Sequence, residues 1–191
     1  MVFNCSNWKN HYETFVQFPR KEDDKVMQID NKIKSLMPPF IHLLFINELS
    51  CFKYIRKEEN IKLISIDGSN CMDMNGVFSE FSKKMNFPDY FGGNWNAFDE
   101  CMNDLSWLKA EQYVIWISDT DKLLANDNEG FEVLIEILSD TCMEWAEGRE
   151  YGELVTFPTP FHVIFCCTDN KEKPIIERFK STGIVEFDII K

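Results

Sequence analysis

Residues Phe87–Leu105 read FPDYFGGNWNAFDECMNDL, a stretch with five aromatics, a glycine pair and four carboxylates but no lysine or arginine. Pro88 and Gly92-Gly93 mark a loop, and Asn94 is placed to cap a helix running to about Leu105. With a 3.6-residue period, Trp95, Phe98, Met102 and Leu105 face inward. Asn96, Asp99, Glu100 and Asn103 then fall on the opposite side, a polar and partly acidic face left to solvent.

Working outward, IKLISIDGSN reads as a short buried strand ending in a turn. Met74, Val77, Phe78, Phe81 and Met85 follow on one helical stripe. Downstream, YVIWIS is a strand, and after the turn-rich NDNEG comes an amphipathic helix burying Phe131, Leu134, Ile135, Leu138, Cys142 and Trp145. FHVIFC is a third core strand. A strand-helix-helix-strand-helix-strand nucleus needs crossovers, which favour parallel pairing, so a small α/β sandwich is expected. Outside it, Val26, Ile29, Ile33, Leu36 and Met37 recur as a helix ended by Pro38 and Pro39. The apolar run Phe40–Ile46 is a possible added strand. A short helix at Ile175–Lys180 and a strand in IVEFDII extend the other end.

The 191 residues suit one domain with an extension. Hydrophobic residues at 45%, including 17 phenylalanines, supply a sizeable core. Thirty-two acidic against 20 basic side chains leave a net charge of −12. That excess repels nucleic acid and anionic membranes and is complemented by a cationic partner. The charge is concentrated, because Lys84–Lys109 and Lys122–Arg149 enclose eleven carboxylates and no cation. Glu132, Glu136, Asp140 and Glu144 recur every four residues, a like-charge row costing roughly 0.2–0.5 kcal/mol per pair. Either it is a solvated face or it serves a use outside the fold. If the two acid-rich helices lie side by side on one sheet, a continuous negative patch results. The first twenty residues lack the pattern of a secretory signal, nothing is long enough to span a bilayer, and seven cysteines show no CxxC spacing. A reducing, cytoplasmic location is expected.

The stretch at residues 87–105 resembles the signature region of the barstar family of ribonuclease inhibitors, matching its proline, aromatic pair, glycine, asparagine and helix in order. IKLISIDG, YVIWIS, the glycine-led helix from Gly130 and FHVIFC fit the flanks. The resemblance covers residues 61–168 as a barstar-like domain, with residues 1–60 and 169–191 as N- and C-terminal extensions. It implies an α/β fold with a small three-stranded parallel sheet and helices, no cofactor and no catalysis. The implied partner is a basic ribonuclease toxin whose cationic active site the inhibitor plugs, as in a bacterial toxin-immunity pair. Carried over, the binding surface comprises Tyr90, Phe91, Gly92, Asn94, Asn96, Asp99, Glu100, Asn103 and Asp140. Glu100 falls where the family commonly has its central aspartate, Asn96 where another aspartate is usual, and Asp140 at the acidic position of the later helix. Carboxylates there would imitate RNA phosphates.

Other chemistries remain open. Asp99, Glu100 and Asp104 offer hard oxygens for Mg²⁺ or Ca²⁺ in a metal-dependent hydrolase, although adjacent Asp99 and Glu100 diverge by about 100° around a helix. A non-inhibitory interaction module that binds through residues 1–60 is a third reading. His42 and His162 lie in apolar runs as structural histidines, His11 stands apart, and Cys166 and Cys167 point to opposite faces of a strand.

Overall fold

A computed structural model describes residues 21–46, 60–151, 154–183 and 186–190. His11, Cys5 and Cys51 lie outside them. The elements in chain order are α1 (Lys21–Lys32), β1 (Ile41–Phe45), β2 (Ile61–Asp67), α2 (Met74–Met85), α3 (Trp95–Asp104), β3 (Gln112–Ser118) and α4 (Asn128–Glu147). A short hairpin of β4 (Arg149–Tyr151) and β5 (Leu154–Thr156) follows, then β6 (Phe161–Cys167), α5 (Glu172–Thr182) and β7 (Phe187–Ile190). Among the described residues no helix is long and apolar enough to cross a membrane.

The main sheet has five parallel strands in the order β2-β3-β6-β1-β7, not the three expected. The nucleus β2-β3-β6 is as read from the sequence. The additional strands come from both ends of the chain: β1 pairs with β6, and β7 pairs with β1. One register row, Ile64–Ile115–Val163–Ile41–Phe187, crosses all five. Because side chains alternate, the sheet carries two cores. On one face α2, α3, α4 and α5 bury Phe81, Phe98, Leu134 and Phe179 against Ile115, Val163 and Leu43. On the other, Ile29 of α1 and Ile33 just after it cover Val114, Trp116, Leu44, Ile164 and Cys166. The apolar run at residues 40–46 is therefore an interior strand, buried on both faces, which is why it shows no alternation.

Two boundaries differ from the sequence reading. α1 stops at Lys32, so Leu36 and Met37 lie beyond it and stand exposed. α4 starts at Asn128, because the Asp127 carboxylate caps it by accepting from the Gly130 N–H at 2.8 Å. A Cβ on residue 130 would lie 2.5 Å from that carboxylate, so glycine marks this close approach within the first turn and not the helix start. Between α4 and β6, the stretch EGREYGELVTFPTP contains the β4–β5 hairpin.

Candidate functional site

The loop before α3 is pinned by aromatics. The Phe91 N–H donates to the Pro88 carbonyl at 2.9 Å, and Gly93 adopts φ +62°, a turn that glycine makes without steric cost. Asn94 Oδ1 then accepts from the Ala97 N–H at 3.0 Å, capping α3 as its sequence position suggests. The Phe91 ring packs edge-on against Phe87 and Phe78, with centroids 5.0 and 5.9 Å away, so it serves packing at least as much as contact. Trp95, expected to face inward, is half-buried against Phe78 and Phe98. The Trp107 indole N–H donates to the Met85 carbonyl at 3.0 Å, tying the far end of α3 to α2. What this anchoring leaves free is Tyr90, 71% exposed. Lost hydration along its flank, then Asp104, Cys101 and Glu100, raise its phenol above the ordinary range, placing the ring beside the acidic side of α3.

Along α3, Asn96, Glu100 and Asp104 are exposed, while Asp99 and Asn103, expected on the solvent face, are half-buried because α4 packs against α3. Asn103 Nδ2 donates to Asp99 Oδ1 at 3.0 Å. The Asp99 carboxyl titrates above the ordinary carboxylate range: partial burial raises it most, then Asp140 of α4, with the Asn103 bond opposing and Glu100 adding to the rise. α3 and α4 are packed together, and Asp140 lies near enough to Asp99 to raise its carboxyl. On α4, Glu132, Glu136 and Asp140 are exposed; Glu144 is half-buried and pairs with Arg149 at 3.4 Å. Gly92 and Asp89 are exposed at the loop end of the same region.

Arg149 is the residue the sequence reading missed. Neither α3 nor α4 contains a lysine or arginine. Arg149, in the hairpin just after α4, donates through Nη2 to the Asn103 carbonyl and lies 5.0 Å from the Trp145 ring centroid. Trp145 in turn donates its indole N–H to the Met102 carbonyl at 3.1 Å. One guanidinium therefore meets the carbonyl end of α3 and a carboxylate of α4, where both helix dipoles are negative. Its only signal in the sequence is that it is the first cation after the second acidic window.

Other candidate chemistry is not assembled. Among the described residues no three His, Cys, Asp or Glu side chains are grouped to hold a metal ion, so Asp99, Glu100 and Asp104 do not form a cage. Cys71, Cys101, Cys142 and Cys167 are buried free thiols, and burial, helped by Glu80 and Asp67, pushes the Cys71 thiol up to about 12.

A comparison with curated proteins finds no match. Residues 61–157, a little more than half of the chain, match the family described as Barstar (barnase inhibitor), from the start of β2 to just beyond the hairpin. β6 lies past the end of that match, although it is the third strand of the nucleus. With the loop, α3 and the acidic α3–α4 surface inside the matched span, this chain belongs to the barstar family.

Proposed function

We propose that the chain is an immunity protein that inhibits a basic ribonuclease by inserting the α3–α4 surface into its active-site cleft. What supports this is the packing of α3 against α4, which draws two cation-free windows together and brings Asp140 near enough to Asp99 to raise its carboxyl. A ribonuclease must present Lys, Arg or protonated His to RNA phosphates, and carboxylates held in a fixed array compete for those groups. Glu100 and Asp140 are the central anions. Asp99, Asn103 and Asn96 supply polar partners around them; Tyr90 and Phe91 supply contact area, with Gly92 permitting close approach and Asn94 fixing the start of α3. Residues 61–168 form the inhibitory unit, and residues 1–60 and 169–191 are additions to it. The setting is the cytoplasm of a bacterium that makes the toxin, and no cofactor takes part. The test is RNA cleavage by a barnase-type ribonuclease titrated with the purified protein. Activity should fall to nothing near equimolar inhibitor and return with Glu100→Lys or Asp140→Lys. Full cleavage at every ratio, together with failure to recover any basic ribonuclease from the source cell, would overturn the reading.

A further inference from the structure

On the sheet face covered by α1, a line of polar groups runs through the interior. Asp188 of β7 accepts from Lys32 Nζ at the end of α1 and meets Nδ1 of His42 on β1, its register neighbour. Nε2 of His42 meets Nδ1 of His162 on β6 at 3.0 Å, and Nε2 of His162 meets the Ser35 carbonyl at 2.9 Å. The rings are 1% and 0% exposed and lie 18° from parallel, with Phe40 edge-on to His162. Each of the three imidazole contacts needs one proton. The carboxylate and the carbonyl at the two ends accept only, and in the middle one nitrogen must donate to the other. Two neutral imidazoles carry two N–H groups, one too few.

We propose that His42 and His162 form a buried proton-binding site, holding one proton beyond neutrality against Asp188 and joining the added strands to the family nucleus. Burial works against the Asp188 carboxylate, but hydrogen bonds from His42 and Lys32 hold it below the ordinary range, so the proton stays on the imidazoles. Burial, then the charge on His42, pushes His162 down to about 4, although the Ser35 carbonyl and Asp188 pull it up and Lys32 adds to the fall. Asp188 meets His42 directly, which places the extra proton there, with His42 donating from both nitrogens and His162 as the neutral Nε2–H tautomer. Lys32, Asp188, His42 and His162 are the titratable groups in the line.

The sign of the linkage follows from counting protons. The folded pair holds one extra proton, while two free imidazoles titrate near ~6.5 in the unfolded chain. Below about pH 6.5 the unfolded chain binds more protons than the folded one, and above it fewer. While the folded pair keeps its extra proton, its contribution peaks near pH ~6.5 and declines on both sides. The test is a long-range ¹H–¹⁵N correlation spectrum of the ¹⁵N-histidine-labelled chain at about pH 7.5, one unit above the free imidazole value. Support is one ring with both nitrogens protonated and coupled to a second in the neutral Nε2–H form; two neutral rings at His42 and His162 overturn the proposal. The second arm compares urea midpoints of the wild type and the His42→Gln, His162→Gln double variant. A difference that shrinks from about pH 6.5 to 8.5, two units of titration, supports it, and a constant difference overturns it. If the double variant does not fold, the wild-type spectrum alone decides.

Discussion

Replacing Arg149 by methionine keeps the aliphatic stem and removes the guanidinium from the seam between α3 and α4. The side chain is 13% exposed. Its hydrogen bond to the Asn103 carbonyl comes from a charged donor, worth about 1.5–3 kcal/mol. The Glu144 partner is 44% exposed, so that pair is screened and adds about 0.5 kcal/mol. The guanidinium over Trp145 adds about 0.5–1 kcal/mol. The expected loss is about 3 kcal/mol, or a fall in Tm of about 6–12 °C for a chain of this size. Scanning calorimetry of Arg149→Met at neutral pH measures it. Arg149→Lys, with the charge but not the planar fork, should recover no more than about half. An Arg149→Met protein melting within about 1 °C of the wild type would refute the view that this cation holds the acidic helices together.

Asp99→Asn should stabilise the protein at neutral pH, because the folded carboxyl titrates above its unfolded value and its charge is therefore unfavourable there. The gain should vanish as pH falls below the unfolded carboxyl value, ~3.9, and urea midpoints against pH would show it. Gly93→Ala should cost about 1–2 kcal/mol in urea unfolding, from the positive φ alone, since a Cβ there meets nothing within 4 Å. Deleting residues 1–46 removes the strand partner of β7 and uncovers Val114, Trp116, Ile164 and Cys166. The truncated protein should bind a hydrophobic dye and aggregate, and native solubility with an unchanged tryptophan emission maximum would count against this account.

The nucleus was legible because its signals are local. Val77, Phe78 and Phe81, or Phe131, Leu134 and Ile135, declare helices within one or two turns, and YVIWIS and FHVIFC declare strands by composition. The places of β1 and β7 were not legible, because strand order depends on partners far along the chain: Leu44 pairs with Cys166 and with Ile190. In the site, Asn94 as a cap and the exposure of Asn96 and Glu100 followed from spacing. Two things did not. Phe91 reads as a free loop aromatic until Phe78 and Phe87 close on it, and Arg149 reads as an ordinary surface cation until the hairpin turns it back onto α3.

The position of β1 bears on how the chain is made. Ile41 leaves the ribosome roughly 120 residues before Val163, its neighbour in the sheet, and at ordinary synthesis rates that gap is on the order of ten seconds. Through that interval IHLLF has neither flanking strand to pair with, so the nascent chain presents an aggregation-prone segment that a chaperone must shield or that early collapse must hide. Completion of the sheet therefore waits for β6 and β7 to be synthesised.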